Sequence, residues 1–235
     1  MSCPRFFLPP MPLHRLFCLV LGAWLALVTT AAVYPDSTAI ALNARRLEAA
    51  EKKFGVKARE RLEAWQALLN TARNLSEAEK LEAANDFFNQ VPFISDAEHW
   101  NVKDYWATPS EMLATNGGDC EDFSIAKYFT LVALGVPVGK LRITYVKAAN
   151  VRPSDQAHMV LTYYATPGAI PLVLDNLIPE IRPASRRPDL TPVYAFNGAG
   201  LWLAKERGEG KSVAGGSNNI GFWRELNARM GREFD

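Results

Sequence analysis

The order of polar and apolar positions divides the chain into a helical first half and a second half in which apolar residues recur at every other position. Asp36 to Asn89 is rich in Ala, Leu, Glu, Lys and Arg, and Gly55 and the Asn74-Leu75-Ser76 break divide it into three predicted helices. The third opens on Ser76-Glu77-Ala78-Glu79, a capping box in which the Ser hydroxyl accepts from the N3 amide and the Glu carboxylate reaches back. Charged stretches such as Arg59 to Arg61 read as solvated helix surface. From Val91 to Trp106 the pattern turns irregular and aromatic, with Phe93, His99, Trp100, Tyr105 and Trp106 among polar residues. Thr108-Pro109-Ser110-Glu111 then predicts a short helix, with Thr as N-cap, Pro at N1 and Glu at N3, ending at Asn116-Gly117-Gly118. The next helix starts at Asp119 or Cys120 and runs to Leu134, where Gly135 and Pro137 stop it. Phe123, Ile125, Ala126, Tyr128, Phe129, Val132 and Leu134 make it apolar nearly all round, which predicts a buried central helix.

Four strands follow: LRITYVKA from Leu141, HMVLTYYA from His158, PLVLDNL from Pro171 and PVYAFN from Pro192. A short strand over Leu201 to Lys205, a Gly- and Ser-rich loop over Gly208 to Asn219 and a closing helix over Phe222 to Arg229 complete the reading. Helices first and an antiparallel sheet afterwards define an α+β fold.

The first 32 residues contain Arg5 and Arg15, no acid, and the apolar run Leu16 to Ala32 with a small-residue Thr30-x-Ala32 site. That is the layout of a secretory signal peptide, which makes residues 1–32 a leader and 33–235 one periplasmic domain, with a mainly helical lobe over 33–118 and the central helix and sheet over 119–235. A retained anchor is the alternative, since about 17 apolar residues can just span a bilayer. The whole chain has 49% hydrophobic and 22% charged residues and a net charge of +1 with both signs interleaved, so there is no basic stripe and no reason to expect nucleic acid as a partner.

Removal of the leader takes Cys3, Cys18 and His14 with it and leaves Cys120 as the one cysteine. A lone thiol in an exported domain cannot form an intramolecular disulfide; it is an inert buried group, an intermolecular link or a nucleophile. Its place at a helix N-terminus favours a thiolate. A nucleophile needs a base and a group to orient that base. His158 opens one strand, the next ends at Asp175, and the Thr166-Pro167-Gly168-Ala169 turn joins them. The turn permits two registers, placing His158 either directly or diagonally opposite Asp175 and in both cases on the same face. Cys120, His158 and Asp175 can therefore form a Cys-His-Asp triad, with His99 left as a loop histidine among aromatics. The Cys120 backbone N–H is the first oxyanion donor, and the Trp106 indole or an Asn116 amide are candidates for the second.

Asp119, Glu121 and Asp122 surround this thiol with negative charge that opposes a thiolate. Either a hard cation such as Ca²⁺ offsets them, or they cap the helix N-terminus, where acids are favourable in any case.

WATPSEMLATNGGDCEDFSIAKYFTLVALGVP, followed by LRITYVKA, AHMVLTYY and LVLDN, resembles the bacterial transglutaminase-like cysteine proteinases of the LapG type, the periplasmic adhesin proteases. The likeness spans Ala83 to Trp202, and its DCEDF signature is specific. The resemblance implies a transglutaminase-like, papain-related fold, the triad Cys120, His158 and Asp175, and dependence on Ca²⁺ held by Asp119 and Glu121 with Asp122 as a further candidate ligand. It also implies cleavage of a large surface adhesin near its N-terminus at a di-alanine site, releasing biofilm cells. A LapD-type inner-membrane receptor, loaded with cyclic di-GMP on its cytoplasmic side, would sequester such a protease. Two other functions fit the same residues: an acyl transferase or amidase of transglutaminase type, and a non-catalytic periplasmic calcium-binding module.

Overall fold

The computed structural model of the protein describes residues 42–149, 156–203, 211–212 and 215–234. The expected leader, its expected cleavage site and the last two residues of the strand expected at Leu201 to Lys205 lie outside the described residues. No described helix is long and apolar enough to cross a membrane.

Three helices come first, α1 (Ala44–Phe54), α2 (Val56–Thr71) and α3 (Glu77–Phe88). Both halves of the capping box at Ser76 are made. Within the aromatic stretch lies a helix of one turn, α4 (Asp96–His99), which the pattern did not announce. Then come α5 (Pro109–Thr115), capped by Thr108 and Glu111 and ended by Asn116 in the left-handed region, and α6 (Cys120–Ala133), N-capped by Asp119.

The sheet is antiparallel throughout: β1 (Leu141–Ala148), β2 (Gln156–Tyr163), β3 (Leu172–Leu174), β4 (Arg182–Pro183), β5 (Leu190–Asn197), β6 (Gly200–Leu203) and β7 (Lys211–Ser212), in the order β4-β3-β2-β1-β5-β6-β7. The two-residue strands β4 and β7 were not expected, and β7 falls inside the Gly- and Ser-rich loop. A last helix, α7 (Gly221–Arg229), closes the chain.

Alternation along the strands sorts residues between two faces. Leu141, Ile143, Leu161, Leu174 and Phe196 enter the main core, which α6 fills from the other side with Phe123, Ile125, Phe129 and Leu131. Val146, Val160 and Val173 form a small cluster on the opposite face. The expected burial of α6 holds, since Phe123 to Leu131 is buried without interruption. Helices α3 and α5 cover its remaining sides, and the buried Trp65 indole of α2 donates to Thr130 Oγ1 at 2.9 Å. This sandwich directs the N-terminus of α6 at the end of the sheet where β2 begins.

Candidate active site

The β2–β3 turn decides the relation of His158 to Asp175. Ala169 N–H donates to the Thr166 carbonyl at 3.1 Å, and Gly168 takes φ +77°, as a turn with Pro then Gly at its centre requires. The resulting register pairs Leu161 with Leu174, which puts Asp175 beside Val160 and diagonal to His158, the second of the two alternatives. The strand stops at Leu174 rather than Asp175 because the Asp175 carboxylate turns back to accept the Leu177 N–H at 3.0 Å.

His158 Nε2 lies 2.8 Å from Asp175 Oδ1, with both side chains almost wholly buried. The other oxygen, Oδ2, accepts from Arg187 at 2.7 Å, and Arg187 also pairs with Asp189. Burial alone would raise the Asp175 carboxyl, but the bonds from His158, Leu177 and Arg187 outweigh it and hold the group at about 2. An ionised carboxylate only accepts, so Nε2 of His158 carries the proton and Nδ1 is the nitrogen left for a base.

Cys120 is the first residue of α6 and is half-buried. Its Sγ receives the backbone N–H of Met159, the residue after His158, and donates to Glu121 Oε2 at 3.0 Å. Among the described residues no hydrogen bond joins the thiol to His158. Burial, then the charge of Glu121 and Asp119, pushes the thiol well above its ordinary value. The acids beside the thiol therefore do oppose the thiolate.

Those acids form part of a larger group. Phe93 bridges to Gly118, and Ile94 N–H donates to the Gly118 carbonyl at 2.9 Å, which brings Asp96 beside Asp119. Asp104 joins Asp96 and Glu121. Burial drives the Asp119 and Glu121 carboxyls upward, and burial with Asp119 and Asp104 nearby lifts Asp96 to about 6. Asp96 Oδ1 and Asp119 Oδ1 are buried with no hydrogen-bond partner, and among the described residues no salt bridge reaches this group. Several hard oxygens, two of them orphaned and none of them in a salt bridge among the described residues, fit a divalent ion of the calcium class. Asp96, Asp104 and Glu121 form one group placed to hold an ion, and Asp96 with Asp119 and Asp122 forms another that shares Asp96.

Asp122 stands with Asp96 and Asp119 in a further group of acids close enough to share an ion, and it also caps backbone. Its Oδ1 accepts from Ala107 N–H at 2.7 Å and its Oδ2 from Asp119 N–H at 3.2 Å, so both oxygens of this buried side chain cap backbone. Gly118 makes room for that cap, since a Cβ there would stand 2.7 Å from Asp122 Oδ2, while Gly117 makes room for Ile94, whose Cδ1 would stand 2.6 Å from a Cβ at that position. Trp106 is stacked between Phe196 and Phe222, and its indole N–H acts on the Asp104 carboxylate. Asn116 serves as the C-cap of α5 with its side chain exposed, and His99 lies at the end of α4 rather than in a loop, its Nε2 2.8 Å from Thr115 Oγ1 and its ring edge-on to Trp100.

Residues 56–189 match the family described as bacterial transglutaminase-like cysteine proteinase, more than half of the chain. The chain belongs to this family. Solved structures of Legionella pneumophila LapG agree with it over nearly their whole length. One is 44% identical, covering 79% of this chain and 96% of that one with a TM-score of 0.67. The calcium-bound form is 43% identical, covering 80% and 99% at 0.68, and the EGTA-treated form is 44% identical at 0.69. A search among curated protein sequences returned no match.

In this transglutaminase-like cysteine proteinase, four residues around the site escaped the sequence reading: Asp96, Asp104, Arg187 and Lys127. Lys127 is buried in α6, where its Nζ meets Asn85 Oδ1 at 2.9 Å and the Asp175 carbonyl at 3.1 Å. Burial draws its ammonium down to about 7, against the charges of Asp175 and Asp86. A lone Lys in an otherwise apolar helix was the available signal.

Proposed function

We propose that the protein is an exported, Ca²⁺-dependent endopeptidase with Cys120 as nucleophile, His158 as base and Asp175 as its orienting partner. The observation that carries this reading is the buried His158–Asp175 pair at the start of β2, where the next backbone N–H, that of Met159, touches the Cys120 thiol. Nδ1 of His158 accepts the thiol proton, and Asp175 steadies the imidazolium that results. The sulfur attacks the scissile carbonyl while the Cys120 backbone N–H, at the first turn of α6, donates to the developing oxyanion. His158 returns the proton to the leaving amine, and water then hydrolyses the thioester with His158 again as base. Asp96, Asp104, Asp119 and Glu121 are the residues to hold Ca²⁺, with Asp122, beside Asp96 and Asp119, as a further candidate that also caps backbone. Bound there, the ion supplies positive charge that offsets the acids beside the thiol. The calcium-bound and EGTA-treated forms of LapG support this part of the reading.

By the same likeness the substrate is a large cell-surface adhesin, cut near its N-terminus at a di-alanine site, and the outcome is biofilm dispersal. A LapD-type inner-membrane receptor responding to cyclic di-GMP is the inhibitory partner, and the periplasm, reached through the leader at residues 1–32, is the compartment. Product analysis on adhesin N-terminal fragments tests the proposal. A new α-amine after an Ala-Ala pair supports it; incorporation of an added amine without a new α-amine would make the protein an acyl transferase.

A further inference from the structure

We infer that Lys127 is a positioning residue for the reaction: by gripping the Asp175 carbonyl it sets the His158–Asp175 arm at a constant distance from the helix that carries Cys120. This inference rests on the roles proposed above for Cys120, His158 and Asp175.

Cys120 and Lys127 are seven positions apart on α6, which is two turns, so both side chains leave the same face about 10.5 Å apart along the axis. Taking an ammonium out of water is costly, and a position that only needed filling would be met by Leu or Met. Lys127 is nonetheless 1% exposed. Its bonds show what that cost secures. Nζ donates to Asn85 Oδ1 and to the Asp175 carbonyl, with the Phe123 ring 6.0 Å away.

Helix α3 reinforces the grip. Asn85 Nδ2 donates to the Pro179 carbonyl at 2.7 Å, and Asn89 Nδ2 donates to the same Asp175 carbonyl at 3.0 Å. The main chain of Asp175 is thus held from α6 and α3 together, while Arg187 and the Leu177 N–H hold its carboxylate. With both ends secured, Oδ1 is aimed at His158 Nε2. The charges that face the ammonium are Asp86 on α3 and Asp175 itself, both of which favour its protonated form.

The His158 Nε2–H proton reads this support directly. It is observed by NMR of the full chain labelled with ¹⁵N-histidine and assigned by its loss in His158→Ala. Lys127→Met and Asn89→Ala are each compared with Asp175→Asn, and each is also assayed on a fluorogenic peptide spanning an Ala-Ala pair. Lys127→Met is expected to speed solvent exchange of that proton about tenfold or more and to lower kcat with KM unchanged. Asn89→Ala, which removes only one of two donors, moves both readings the same way by less, and it stands in if Lys127→Met does not fold. Wild-type exchange and kcat in Asn89→Ala and in folded Lys127→Met, alongside an impaired Asp175→Asn, would overturn the role of Lys127 alone. Wild-type kcat in Asp175→Asn would overturn the triad beneath it.

Discussion

Replacing Asp175 by Asn should cost stability in a pH-dependent way as well as activity. The carboxyl sits at about 2, below its ordinary 3.8, through its bonds to His158, Leu177 and Arg187. Each unit is worth about 1.4 kcal/mol, so ionised Asp175 contributes roughly 2.5 kcal/mol at pH 7. Because the folded value lies below the unfolded one, that contribution is complete above about pH 4–5 and is lost as pH falls towards 2; near pH 3 about half of it remains. Urea unfolding followed by tryptophan fluorescence measures the gap between wild type and Asp175→Asn. It should be roughly 2–3 kcal/mol at pH 7 and should narrow by about half at pH 3. Turnover should fall on the order of 10²-fold or more, since the amide stabilises the imidazolium poorly. A gap of the same size at both pH values would refute the claim that the ionised carboxylate is what the buried network holds.

Three further outcomes follow from the same geometry. Ca²⁺ should raise the melting temperature and EGTA should reverse the effect, by about 2.7 kcal/mol at a hundredfold excess over Kd, and Asp119→Ala or Glu121→Ala should abolish both this shift and activity; an unchanged melting temperature on adding Ca²⁺ would remove the metal from the account. Gly118→Ala should lose roughly 1–3 kcal/mol in the same urea assay, because its Cβ would press on the Asp122 cap; wild-type stability would mean that the cap yields. Mass spectrometry of periplasmic protein should find a chain beginning near Val33, and residues 1–32 still attached would favour the anchored form.

Local patterns carried most of the fold. Capping residues at Ser76 and Thr108 and the Gly117-Gly118 break before Asp119 placed three helix starts to within a residue, because each signal is local in sequence. The Pro-Gly turn narrowed the hairpin to two registers on one face, enough to pair His158 with Asp175. The remainder depended on distant partners. Asp96 reaches Asp119 only through the bridge between Phe93 and Gly118, which no periodicity announces. Arg187 lies in a Pro- and Arg-rich segment with no periodic pattern, yet it is 3% exposed, paired with Asp175 and Asp189.

The central claim is that Cys120 performs the chemistry, and partial alkylation tests it most directly. Ca²⁺-loaded protein is treated with iodoacetamide for graded times, the fraction of modified Cys120 is read by intact mass, and residual cleavage of the adhesin fragment is measured on the same samples. The account predicts one modification per chain of the leader-free protein and activity falling in proportion to it, reaching zero at full modification. Protein fully modified at Cys120 that still cleaved the fragment would contradict it.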